Sequence, residues 1–232
     1  MSIIKEENVR TAALLGGGAC DKLKEARVAV FGVGGVGGFV CEALARAGVG
    51  ALDIYDADTV ALSNINRQII ALHSSVGRAK VDVMRERIAD INPDCKVTAH
   101  KVFYLPENAD EYSFEGVSYI ADAVDTVAAK VELAVRADRF GIPIISSMGT
   151  GNKLDPTGFT VEYLSKTDTC PLARAMRKLL RERGLDKKVK VVYSRESARK
   201  NDLGVIGSVS FVPSVAGLIM AGEIIKDITG EN

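Results

Sequence analysis

Three glycines, Gly32, Gly34 and Gly37, stand at the G-x-G-x-x-G spacing, with Gly35 between them. Before them runs a short apolar stretch, residues 28–31. After them Phe39, Val40, Ala43, Leu44 and Ala47 recur at helical spacing. Strand, glycine turn and helix start together aim backbone N–H groups and the positive end of a helix at one spot, where phosphates bind. Asp56 closes the next apolar run, residues 52–55, and lies 19 residues after Gly37. An acidic residue there can accept hydrogen bonds from ribose hydroxyls. The polar string Ser63-Asn64-Ile-Asn66-Arg67-Gln68, then Lys80 and Asp125, add amides, two cations and a carboxylate that a plain dinucleotide site does not need. Such a set suits ATP and the adenylation of a carboxylate.

Each of these side chains also has an ordinary explanation. Arg67 could be a solvated loop residue, Lys80 a surface charge, and Asp125 the N-cap of a following helix, a position aspartate favours. The glycines could serve only helix–strand packing. Their joint order argues otherwise. Asp58 and Gln68 are counted with Gly32, Gly34, Gly35, Gly37, Asp56, Asn64, Arg67 and Lys80 as nucleotide contacts.

The elements that must carry these residues alternate. The periodicity predicts a helical arm over 9–24, a helix over 79–91 stopped by Asn92-Pro93, strands over 96–103 and 118–121, a helix over 126–140 and a buried strand over 142–146. This βαβ alternation specifies an α/β chain. The expected fold is a Rossmann-like, doubly wound, mainly parallel sheet with helices on both faces, a short N-terminal helical arm and a C-terminal appendage. Beyond residue 151 the pattern loosens. Strands are expected over 159–164 and 190–193, a helix over 171–183 with proline first, a polar loop over 194–210 and an apolar helix over 213–228. The whole chain, 1–232, reads as one domain with a core over about 25–165 and a basic appendage over about 166–210.

The chain has 232 residues, 47% of them hydrophobic, enough for a sizeable core. No apolar run reaches the length of a membrane span. The charged start, Met1-Ser-Ile-Ile-Lys-Glu-Glu-Asn, does not fit a signal peptide, so a cytoplasmic location is expected. Cys20, Cys41, Cys95 and Cys170 lie far apart without a C-x-x-C pair, which argues against a disulfide framework and a structural zinc site. Lys and Arg balance Asp and Glu at 30 each, but unevenly. Residues 174–200 hold eleven basic and three acidic side chains, a local excess of +8. Within the helix over 171–183, Leu172, Met176, Leu179 and Leu180 are expected on one face and Arg174, Arg177, Lys178 and Arg181 on the other. A row of cations suits an RNA backbone, and also a merely solvated face.

The order glycines, acid, Asn-x-x-Arg-Gln, lysine, acid resembles the ubiquitin-activating-like adenylyltransferases of the ThiF and MoeB type, over residues 10 to about 165. The most specific match is Ser63-Asn-x-Asn-Arg-Gln68, with Lys80 thirteen residues after Arg67. The resemblance implies that Gly34 and Gly35 line the phosphates, Asp56 holds the ribose, Arg67 and Lys80 neutralise the triphosphate, Asp125 binds Mg²⁺ and Asn64 supports the nucleotide loop. Arg67, Lys80 and Asp125 would form the catalytic set. Arg10 matches a family arginine that reaches a partner subunit's nucleotide, which implies a homodimer.

Four later strings resemble one branch of that family, the tRNA threonylcarbamoyladenosine dehydratases. They are Ile145-Ser-Ser-Met-Gly149, Asn152-Lys-Leu-Asp155-Pro-Thr157, Lys166-Thr-Asp-Thr-Cys-Pro171-Leu172 and Phe211-Val-Pro-Ser-Val-Ala-Gly-Leu-Ile-Met220. This resemblance implies ATP-dependent cyclisation of a modified adenosine in tRNA, with tRNA as partner and a sulfur-relay protein as a further one. At Cys170 the branch usually carries Asp, so the helix start should be weaker or the thiol functional. The segment between Ser194 and Ser208 is shorter than is common there. Two other readings fit parts of the chain: a sulfur-carrier or ubiquitin-like protein adenylyltransferase, and an NAD-binding oxidoreductase or sensor. The second leaves Arg67, Lys80 and Asp125 without a shared purpose.

Overall fold

The computed structural model describes residues 5–231; residues 1–4, half of the charged start read above, lie outside them. Seven strands form one sheet: β1 (Arg27–Phe31), β2 (Ala51–Tyr55), β3 (Lys96–His100), β4 (Tyr119–Asp122), β5 (Ile144–Ser147), β6 (Phe159–Tyr163) and β7 (Lys190–Ser194). Their spatial order is β3-β2-β1-β4-β5-β7-β6. All neighbours are parallel except β6 and β7. The α/β, mainly parallel sheet expected from the alternation is therefore the one the chain adopts. Segment 166–210 contributes β7, which lies between β5 and β6.

The described residues include seven α-helices: α1 (Val9–Leu15), α2 (Gly17–Glu25), α3 (Gly37–Arg46), α4 (Lys80–Ile91), α5 (Val127–Phe140), α6 (Pro171–Arg181) and α7 (Phe211–Thr229). Strand side chains alternate in direction, so each strand feeds two cores. Val28, Val30, Leu52 and Ile54 pack with Leu23, Leu44, Met84, Ala216 and Met220 of α2, α3, α4 and α7. Ala29, Phe31, Tyr55 and Ile120 pack on the other face with Leu133 and Ala137 of α5 and Met176 and Leu180 of α6. None of these helices is long and apolar enough to cross a membrane among the described residues.

Three expectations need correction. The N-terminal arm is two helices, because Gly16 at φ +84° breaks it. Strand β3 stops at His100 rather than at residue 103. There the His100 ring stacks on Tyr55, at 4.2 Å between centroids, and the chain turns to build a wall of the cavity described below. Asp125 is not the N-cap of α5; Thr126 is.

Candidate active site

The strand order reverses direction of growth between β1 and β4, and ligands of open α/β sheets gather at the C-terminal strand ends beside such a switch point. A cavity of about 610 Å³ opens there. The segments that leave β1, β2, β3, β4 and β5 all contribute to its lining.

The glycines divide by task. Gly32 has φ +86°, and a Cβ on it would sit 2.7 Å from the carbonyl oxygen of Ala123. A Cβ on Gly37 would sit 1.8 Å from the carbonyl oxygen of Gly32. Both let the turn close against the chain. Gly37 is not among the residues that line the cavity, and packing against Gly32 accounts for its lack of a side chain. A Cβ on Gly34 would come no closer than 3.7 Å to another residue, the amide nitrogen of Gln68. Gly34 therefore presents open backbone to the cavity, near the positive end of α3; Gly35 lines the cavity too, but a Cβ there would meet Pro213 at 3.3 Å.

Asp56 leaves β2 and is fixed by two amides. Its Oδ2 accepts from Val33 N at 2.7 Å and its Oδ1 from Asp58 N at 2.9 Å. Burial raises its pKa above the ordinary value near 3.8, more than nearby Lys80 and the two amides lower it. Lys80 begins α4 with its side chain only 6% exposed, and its Nζ donates to Asp58 Oδ2 at 2.7 Å. Asn64 Oδ1 accepts from Ala61 N at 3.0 Å and so closes the turn that precedes Arg67. Arg67 Nη1 donates to Ser63 O at 3.0 Å and to Asn66 Oδ1 at 2.9 Å, bonds within its own turn. Gln68 is buried, and its Oε1 has no hydrogen-bond partner among the described residues. Asp125 is exposed in the cavity lining, and Thr126 Oγ1 donates to its Oδ1 at 3.4 Å.

The fold thus brings Gly32, Gly34, Gly35, Asp56, Asp58, Asn64, Arg67, Gln68, Lys80 and Asp125 to one cavity. Arg10 is on α1, exposed and outside it. The cations in the lining are Lys80 and Arg67. A preorganised pair of this kind can stabilise charge developing on phosphate oxygens.

Sequence reasoning missed other parts of the lining. Val102, Phe103 and Tyr104 after β3, Met148 to Gly151 after β5, Leu172 of α6, and Ile206, Ser208 and Pro213 also line the cavity. It also missed Lys130. This lysine of α5 is 0% exposed, and its Nζ donates to Asp122 Oδ2 at 3.0 Å, Ser146 Oγ at 3.0 Å and Ser147 O at 2.7 Å. Its signal was Asp122 at the end of an apolar strand, eight residues before a lysine on a helix face otherwise apolar.

The basic helix differs in detail. Its inner face is Ala173, Met176 and Leu180. Arg177 turns inward and donates from Nη1 to the carbonyl and hydroxyl of Thr167. Arg181 Nε donates to Asp186 at 3.3 Å. Arg174 and Lys178 remain exposed and without partners among the described residues, so the outward row of four is reduced. Cys170 caps α6 without a side-chain bond and is buried in the α5–α6 core, with its Sγ 3.8 Å from where a Cβ on Gly149 would lie.

Set against known proteins, the chain matches the ThiF family over residues 6–232. It belongs to that family. It is 45% identical over 236 residues to the tRNA threonylcarbamoyladenosine dehydratase of Bacillus subtilis, covering 94% of this chain and 93% of that protein. It is 30% identical over 203 residues to the molybdopterin-synthase adenylyltransferase of Salmonella typhimurium, covering 88% and 77%. Among solved structures it is similar to the Escherichia coli tRNA N6-threonylcarbamoyladenosine dehydratase in complex with ATP. That match has a TM-score of 0.92 and 36% identity and covers 99% of this chain and 98% of the other.

Proposed function

We propose that this ThiF-family chain is an ATP-dependent tRNA threonylcarbamoyladenosine dehydratase. The observation that carries the reading is the near full-length match to the Bacillus subtilis dehydratase, on a chain whose glycine turn, Asp56, Arg67, Lys80 and Asp125 share one cavity. The higher identity to the dehydratase, 45% against 30% for the molybdopterin-synthase adenylyltransferase, favours the dehydratase over the protein adenylyltransferases.

In this reading ATP is a substrate. The amides of Gly34 and Gly35 and the start of α3 cradle its phosphates. Asp56 accepts from the ribose hydroxyls, and Gln68, with an unpartnered buried oxygen, takes a polar group of the nucleotide. The threonyl carboxylate of the modified adenosine forms a bond to the α-phosphorus, and the bond to pyrophosphate breaks. Arg67 and Lys80 hold the charge that builds on the phosphate oxygens. A carbamoyl nitrogen then bonds to the activated carbonyl carbon. AMP leaves, the nitrogen's proton passes to solvent and the ring closes. The nucleophile is intramolecular, and such proximity supplies about 7–11 kcal/mol of the barrier.

The donor set fits Mg²⁺. Asp125 presents an exposed carboxylate to the cavity, and this ion usually takes one or two carboxylates together with substrate phosphates. When bound it neutralises phosphate charge. Arg10, outside its own chain's cavity, serves the cavity of a second copy in a homodimer. Arg174 and Lys178 meet the tRNA backbone.

The test is exchange of labelled pyrophosphate into ATP. Exchange that requires threonylcarbamoyladenosine-containing tRNA supports the reading; exchange that ignores this tRNA, or none with it, refutes it.

A further inference from the structure

We infer that the turn Met148-Gly149-Thr150-Gly151, after β5, is the subsite for the substrate's carboxylate, with Lys130 as the positioning residue beneath it. The inference rests on the adenylation reading above and names the part of the cavity that receives the acyl group.

The turn is anchored at both ends and open between them. Met148 N donates to Val192 O at 2.8 Å, and Asn152 N donates to Gly207 O at 2.8 Å. The amides of Gly149, Thr150 and Gly151 donate to nothing among the described residues, and all three residues line the cavity. Three successive amides without an acceptor in the chain are available to an oxyanion.

The two glycines differ in what they are for. A Cβ on Gly151 would meet Ile206 Cγ2 at 2.3 Å, so packing within the chain accounts for it. A Cβ on Gly149 would find only Cys170 Sγ, at an ordinary 3.8 Å, and its backbone is not left-handed. Nothing within the chain requires glycine at 149. A bare backbone facing a cavity is what the approach of a ligand requires.

The ligand is a carboxylate rather than a phosphate because of its neighbours. The lining cations, Arg67 and Lys80, come from the segment beside the glycine cradle. The turn instead has the apolar Ile206 beside it, 2.3 Å from where a Cβ on Gly151 would lie. A phosphate needs cations. A carboxylate carries one charge and becomes a neutral acyl group once adenylated. The same amides would then face the oxyanion that forms when the carbamoyl nitrogen attacks.

Lys130 fixes this arrangement. Its ammonium joins Asp122, at the end of β4, to the Ser147 carbonyl that precedes the turn. It therefore sets the spacing between the β4 end, which leads to Asp125, and the amides of the β5 turn.

Two measurements test the subsite. In Gly149→Ala, affinity for a non-hydrolysable ATP analogue should stay within about twofold, while tRNA-dependent pyrophosphate exchange should fall about 10²-fold, the size of effect expected of a misplaced reactant. Wild-type exchange in this variant overturns the subsite; absence of exchange in the wild-type protein overturns the parent reading instead. In ¹⁵N-labelled wild-type protein holding the analogue, an anticodon stem-loop with threonylcarbamoyladenosine should shift the Gly149, Thr150 and Gly151 amides. The methyl ester of that stem-loop should not. Unmoved amides, or amides moved by pyrophosphate alone, overturn the proposal whatever the variant does.

Discussion

Lys80 reaches Asp58 across the mouth of the cavity, Nζ to Oδ2 at 2.7 Å, while Asp56 Oδ1 stands 3.9 Å from the same ammonium. The lysine stem is buried and the Asp58 side chain is 65% exposed. The ammonium is thus held in place before any nucleotide arrives, by a partner that solvent can replace. Arg67 differs: its bonds stay within residues 63–66 and bind no other element.

That contrast gives the first prediction. Arg67→Ala and Lys80→Met should each slow pyrophosphate exchange by about 10²–10³-fold. Only Lys80→Met should lower the melting temperature, because it leaves the largely buried Asp56 without its cation. Equal melting temperatures with undiminished exchange would remove both side chains from the mechanism.

Lys130 carries a second prediction. Lys130→Met leaves the Asp122 carboxylate, 0% exposed, without its counter-charge, and breaking a buried pair in this way costs about 3–5 kcal/mol. The double variant Lys130→Met/Asp122→Asn should recover part of that loss in urea unfolding. A single variant as stable as the wild type would show the pair to be incidental.

Asp56 makes ligand binding depend on pH. Its pKa is raised, so the folded state holds the proton more tightly than the unfolded chain. Its contribution to stability is therefore full below the ordinary value near 3.8 and is lost as pH rises through the folded value. Binding runs the other way, because ribose hydroxyls need the carboxylate. Affinity for adenosine, measured calorimetrically to avoid phosphate titration, should fall on acidification from a pH above the usual aspartate range. Asp56→Asn should bind weakly with a flat profile. A flat wild-type profile would detach Asp56 from the ribose.

Most of the fold was legible because apolar runs record burial: strands such as Arg27–Phe31 and Ala51–Tyr55 are buried on both faces, mostly apolar, and end at turn residues. The glycine turn, Asp56, Asn64 to Gln68 and Lys80 were legible because they lie close in sequence. Lys130 and the turn at 149–151 were not. Lys130 holds Asp122, Ser146 and Ser147 across two strands, a pairing only faintly signalled by Asp122 eight residues before it, and the amides of the turn donate to no group of the described residues. Strand β7 is placed between β5 and β6 by pairing alone. The direction of Arg177 likewise depends on Thr167, ten residues back across the start of the helix.

The reduced basic row sharpens the RNA prediction. Arg174→Glu/Lys178→Glu should weaken tRNA binding and lower the slope of log affinity against log salt by about 0.7–0.9 per lost phosphate contact. Arg177→Ala should leave that slope unchanged while loosening the turn around Thr167. An unchanged slope in the double variant would return the exposed cations to solubility.

The most direct measurement is mass spectrometry of nucleosides from tRNA bearing threonylcarbamoyladenosine, incubated with the protein with and without ATP and Mg²⁺. A nucleoside lighter by one water should form only with ATP and be matched by equal AMP. Unaltered tRNA in the presence of bound ATP, or AMP transferred instead to a carrier protein, would contradict the dehydratase reading.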